Sequence, residues 1–135
     1  MSYSNYQPLK IHDIMYAGVP NEERFGIYVQ SYCDLENYCV MIAHKNSDGS
    51  VVPLRDNLLW FGKAMVGIGD WIMVYTAPGV TRSEMLPSGN KLISVHWGKE
   101  STVFQNRSLT PILCQLGGVY VPEQLAAQPQ TQLLR

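Results

Sequence analysis

The side chains that chemistry would call on in this chain are three histidines, three cysteines and a scatter of carboxylates, and their spacing forms no recognised catalytic pattern. His12, His44 and His96 each fall in a strand-like run, with Asp13 and Asp70 as further oxygen donors. Ligands drawn from separate strands leave no spacing signature, and a half-buried strand histidine is the commoner outcome, so no metal is expected. Cys39 lies beside Val40, Met41 and Ile42, and Cys114 lies inside the run Pro111 to Leu116, surroundings that suit a packed thiol rather than a nucleophile. Cys33 is the more exposed candidate, but Asp34 beside it disfavours a thiolate. Glu22 and Glu23 are adjacent, so on a strand they point to opposite faces, and Asp48 and Asp56 read as turn carboxylates. All four carboxylates are expected to be solvated. With no GxSxG, P-loop, HExxH or dinucleotide fingerprint, the chain is expected to carry no catalytic residue and no cofactor.

Aromatic residues give a stronger signal. Trp60-Phe61, Trp71 and Trp97 occur with eight tyrosines in a chain that is only 16% charged. Alternation places Trp60 and Phe61 on opposite faces, so one of them should face solvent and anchor a contact beside Tyr75 or the 77–90 segment. Arg55, Lys63, Arg82, Lys91, Lys99 and Arg107 fall in expected loops or strand ends, and with Trp60 and Trp97 between them in sequence they would add cationic and stacking groups for a protein or, less favoured, a nucleic acid or other anion. The expected partner-binding set is therefore Trp60, Phe61, Tyr75, Arg82, Lys91, Trp97 and Arg107.

The elements that must position these residues read as strands. Trp71–Tyr75 is an unbroken apolar, β-rich run entered through Gly69-Asp70 and left through Ala77-Pro78-Gly79. Further strands are expected over Leu9 to Ala17, Arg24 to Gln30, Tyr38 to Lys45, Val51 to Leu54, Asn57 to Phe61 and Lys91 to Trp97. Pro53 marks its strand as an edge or an end. A closing hairpin is expected from Pro111–Leu116 through Gly117-Gly118 to Val119–Val121. Eight or nine strands and no helical crossover predict an all-β, antiparallel sandwich or barrel. The segment 77–90 reads as a long irregular loop, a length at which loops are often functional. Residues 1–122 read as one domain and 123–135 as a flexible or short helical tail.

Composition narrows the class. The chain has 135 residues, 46% of them apolar, and a formal charge of −1, which disfavours non-specific nucleic-acid binding. Neither a signal-peptide pattern at MSYSNYQPLK nor an apolar run of membrane-spanning length is present, and three cysteines without CxxC spacing suit a reducing compartment. A cytoplasmic protein, not a membrane one, is expected.

The order of features from Asn21 to Val121 resembles the lamin-tail domain. The matching pieces are Glu22–Val29, then Asp34-Leu35 ahead of Tyr38–Ile42, then the Asp48-Gly49 turn. Val66–Asp70 leading into Trp71–Thr76, Trp97 with Val103, Phe104 and Asn106, and Leu113–Val121 complete the series. Tyr38 stands where the family usually has Trp, Gly117-Gly118 lacks the usual Asp, and 81–90 is an insertion. The resemblance implies an immunoglobulin-like β-sandwich whose role is docking rather than catalysis. The expected function is thus a non-catalytic binding module or small accessory subunit, with self-association through an edge strand. The alternatives are an inhibitor or ligand-sequestering protein of a phage or mobile element, and a nucleic-acid-binding accessory domain.

Overall fold

The computed structural model describes residues 7–123. Ten strands make up the described chain: β1 (Leu9–Met15), β2 (Arg24–Val29), β3 (Cys33–Asp34), β4 (Tyr38–Lys45), β5 (Val51–Trp60), β6 (Met65–Val66), β7 (Trp71–Tyr75), β8 (Arg82–Met85), β9 (Lys91–His96) and β10 (Leu109–Gln115). A single 3-10 turn, Leu35–Asn37, interrupts them, capped by the Asp34 carboxylate, which accepts from Glu36 N at 3.1 Å. The protein is all-β, and none of its described helices is long and apolar enough to cross a membrane. The tail expected over 123–135 lies, but for Glu123, outside the described residues.

Five strands form one mixed sheet in the order β1-β2-β7-β9-β8, three form a second in the order β10-β4-β5, and β3 pairs with β6. Both larger sheets send side chains into one core. Phe25, Ile27 and Val29 of β2 and Ile72 and Val74 of β7 meet Tyr38, Val40 and Ile42 of β4. Every second residue of β2 and β7 is thereby committed to the interior, as period-two alternation requires. Phe104 joins this core from a segment without regular structure, its ring edge-on to Phe25 at 6.2 Å.

The structure corrects four expectations of the sequence reading. β7 and β9 run parallel, so the sheet is not purely antiparallel. The connection 76–90 is long enough for a crossover, and β8 takes the role usually given to a helix. That same segment is not an irregular loop, because β8 and β9 form a hairpin across Pro87-Ser88-Gly89. Gly89 N donates to Leu86 O at 2.9 Å, Leu86 N donates to Asn90 O at 2.7 Å, and Gly89 takes φ +91°, the three-residue hairpin loop with glycine at its left-handed position. Val51 to Leu54 and Asn57 to Phe61 are not separate strands but parts of β5, joined through a register shift and Asp56 at φ +60°. Pro53 does lie on an edge strand.

The fourth correction is at the closing hairpin. β10 pairs with β4, and Val119, Tyr120 and Val121 are 67–91% exposed with no strand. Three residues ahead of Pro122 form too few ladder bonds to offset the cost of ordering them.

Candidate binding face

The residues of β2, β7 and β9 that alternation keeps out of the core all emerge on the other side of the five-stranded sheet. Register aligns them in three rows. Tyr28, Trp71, Leu92 and Glu84 make the first, Gly26, Met73, Ser94 and Arg82 the second, and Arg24, Tyr75 and His96 the third. Most of these side chains are half-buried, and those of Arg82 and Glu84 are exposed.

The rings support one another. Trp71 contacts His12 at 5.1 Å and Tyr28 at 5.0 Å between centroids, and Tyr75 stacks on His96 at 5.0 Å with planes 18° apart. Arg24 places its guanidinium 4.7 Å from the Tyr16 ring and 5.3 Å from that of Tyr75, also holding Glu22 at 3.1 Å. Gly26 leaves the gap that the Trp71 ring covers, since a β-carbon there would lie 3.1 Å from Trp71 Cζ3. Trp, Tyr and Arg held this way present large apolar area with little freedom left to lose.

A glycine also seats His96. A β-carbon on Gly79 would fall 2.4 Å from His96 Nδ1, a buried nitrogen with no hydrogen-bond partner among the described residues. Gly79→Ala is therefore expected to force His96 off Tyr75 and to lower stability by about 1–3 kcal/mol. Chemical denaturation of the two proteins checks this.

Two carboxylates fix the frame behind the face, and one overturns an expectation. Glu23 is not a solvated turn residue but 1% exposed. Its Oε1 accepts from Thr76 Oγ1 and Val103 N, both at 2.8 Å, and its Oε2 from Gly18 N at 2.8 Å and Phe104 N at 2.9 Å. Burial pushes its pKa up, but these four donors outweigh burial and hold it below the ordinary 4.5. Glu22 is exposed and bonds Arg24, but neither glutamate lies on a strand: both precede β2, so the turn, not strand alternation, separates their side chains. Asp70 accepts from Gly67 N and Lys91 N at 2.8 Å each, tying the entry of β7 to that of β9. Its pKa is likewise lowered, burial opposing and the Gly67 and Lys91 amides prevailing. Asp48 is the expected turn carboxylate, accepting from Ser50 N at 2.9 Å.

Of the seven expected partner-binding residues, the structure brings only Tyr75 and Arg82 onto this face. Trp97 points inward, 6.4 Å from Phe25, and Lys91 turns its ammonium to Met65 O at 3.0 Å. Trp60 and Phe61 follow alternation, with Phe61 packed on the core and Trp60 51% exposed. Trp60 nevertheless belongs to the other sheet, where its Nε1 donates to Glu36 O at 2.7 Å and its ring borders a cleft with Leu116 to Val119. Arg107 is exposed in the segment before β10. Arg24, Tyr28, Trp71 and Met73 were missed as a set, although Arg24-x-Gly26-x-Tyr28 and Trp71-x-Met73-x-Tyr75 alternate against the core residues.

The three histidines have separate neighbours: Trp71 for His12, Asn46 for His44 and Tyr75 for His96. Among the described residues no group of three or more metal-ligating side chains is gathered. Cys33, Cys39 and Cys114 are free thiols. Burial raises the pKa of Cys33 and Cys39, with Asp34 adding to it for Cys33 and Cys114 for Cys39. No family model, curated protein or solved structure matches this chain.

Proposed function

We propose that this protein is a non-catalytic binding module that docks a protein partner on the outer face of its five-stranded sheet. The observation that carries this reading is the set of three register rows in which Tyr28, Trp71, Tyr75 and Arg24 stand half-exposed and braced by one another. Interface hot spots favour these residue types, and bracing reduces the ordering cost of association. Arg24 and Arg82 at the rim suit a partner with carboxylates around an apolar centre.

The same proposal includes an immunoglobulin-like sandwich of the lamin-tail kind in the cytoplasm. Two sheets sharing one core and three free thiols support it.

The test is capture from the native cell with tagged protein, before and after nuclease, alongside Tyr75→Ala, Arg24→Glu and Trp60→Ala. A nuclease-resistant protein partner bound roughly 10- to 100-fold more weakly by the Tyr75 and Arg24 variants, and normally by the Trp60 variant, is expected. A partner lost with nuclease, or one sensitive only to Trp60, overturns the reading.

A further inference from the structure

We infer that two copies of this chain associate by pairing their β8 strands antiparallel, Ser83 against Ser83, into one continuous ten-stranded sheet. This does not rest on the docking face above, because it concerns the edge of the sheet and the purified chain alone.

Open edges invite pairing, and proteins blunt them with proline, bulges or lysine. Three of the four edges of the two larger sheets are blunted here. β1 carries Lys10 and a register break between Ile11 and Ile14, and β5 carries Pro53 and its own break. β10 carries Pro111. The bonds from Lys45 N to Ser108 O at 2.7 Å and from Leu116 N to Asn37 O at 2.8 Å set the phase of its ladder. That phase directs position 111 outward, where proline removes the donor. β8 reads Arg82-Ser83-Glu84-Met85: it is short and carries two charges, but these are of opposite sign, and it has neither proline nor bulge and exposes all four side chains.

The hydrogen-bond phase of β8 fixes which groups are offered. Leu86 N donates to Asn90 O, so Leu86 and Asn90 form a bonded pair of the β8–β9 hairpin. Alternation then makes Glu84 with Leu92, and Arg82 with Ser94, the next bonded pairs. The amides and carbonyls of Ser83 and Met85 therefore point to the open edge, and Thr81 continues the pattern.

A second β8 must set outward-pointing residues opposite one another, which leaves registers centred on Arg82, Ser83, Glu84 or Met85, and the last sets Ser83 opposite Pro87, which has no N–H to donate. Centring on Arg82 or Glu84 puts that charge against its own copy, which is destabilising. Centring on Ser83 puts Arg82 opposite Glu84 of the second copy, and Glu84 opposite its Arg82. Both ion pairs then occupy non-bonded positions, where side chains across the strands are closest. The strand is self-complementary in charge in one register only.

Sedimentation velocity of the purified chain, from roughly micromolar to millimolar concentration at low salt, tests this. Wild type is expected to pass reversibly from monomer to dimer. Arg82→Glu and Glu84→Arg each set like charges opposite one another and are expected to weaken the dimer about tenfold or more. The double variant Arg82→Glu with Glu84→Arg restores both pairs and is expected to recover it, and Ser83→Pro to abolish it. A chain that stays monomeric throughout, a dimer indifferent to the single charge reversals, or a double variant no better than the singles overturns the inference. So does a dimer that Tyr75→Ala abolishes and Arg82→Glu leaves intact.

Discussion

Glu23→Ala is expected to lower folding stability by about 3–4 kcal/mol, because it removes the acceptor of four donors, two of which, Thr76 Oγ1 and Phe104 N, are buried. Thr76 Oγ1 and the amides of Gly18, Val103 and Phe104 all converge on this carboxylate. They come from the β1–β2 turn, the end of β7 and the segment ahead of β10, so one side chain joins three parts of the chain that local sequence keeps apart. Glu23→Gln keeps the shape, but each carboxylate oxygen accepts from at least one backbone amide, so whichever way the amide turns its NH2 faces a backbone N–H, even where the Thr76 hydroxyl rotates to accept. A loss of about 2–3 kcal/mol is expected there. Urea titration monitored by tryptophan fluorescence reads both, and a midpoint for Glu23→Gln equal to wild type would show that the network contributes nothing net.

The same carboxylate sets the acid limb of stability. With its folded pKa below the ordinary 4.5, the unfolded chain takes up this proton first as pH falls. Its contribution is complete above about pH 4.5 and is lost as pH drops through the lower, folded value. Asp70 acts with the same sign from its ordinary 3.8 downward. Wild type should therefore lose stability more steeply below pH 4.5 than Glu23→Gln, which lacks the first of these groups.

Phe104→Ala is expected to cost about 3–5 kcal/mol, the range for emptying a buried phenylalanine site. The ring is 1% exposed and stands edge-on to Phe25 in the shared core, carried there by a segment without regular structure. The amide of Phe104 is one of the Glu23 donors, so ring and carboxylate secure the same segment from two sides. Losing either should release the other in part. The double variant Glu23→Ala with Phe104→Ala is accordingly expected to fall short of the sum of the singles by about 0.5–3 kcal/mol. Strict additivity would separate the two roles. Against a typical total of about 5–15 kcal/mol, either single change brings a domain of this size near its threshold.

Period-two alternation and turn chemistry alone determined the all-β class, and they placed β4 and β7 at the bounds the structure has, Tyr38–Lys45 and Trp71–Tyr75. Both strands are bordered by turn residues and are apolar enough that no other element would bury them. β8 was illegible because an edge strand with both faces in solvent needs no apolar pattern, so Arg82–Met85 looks like loop until β9 is beside it. The parallel pairing of β7 with β9 was hidden for the same reason, since a strand replaced the helix that a crossover normally announces. Glu23 looked like any turn carboxylate, because its burial comes from residues about 50 and 80 positions further along the chain. The candidate face was half legible. Alternation set Tyr28 apart from Phe25, Ile27 and Val29, whereas Trp71 lay hidden in an unbroken apolar run, and only the register between β2, β7 and β9 decided that the two meet on one surface and that Trp60 and Trp97 do not. Sequence dictates which side of its own strand a residue takes. Which strands lie side by side is decided by long-range burial, and that is a property of the folded chain.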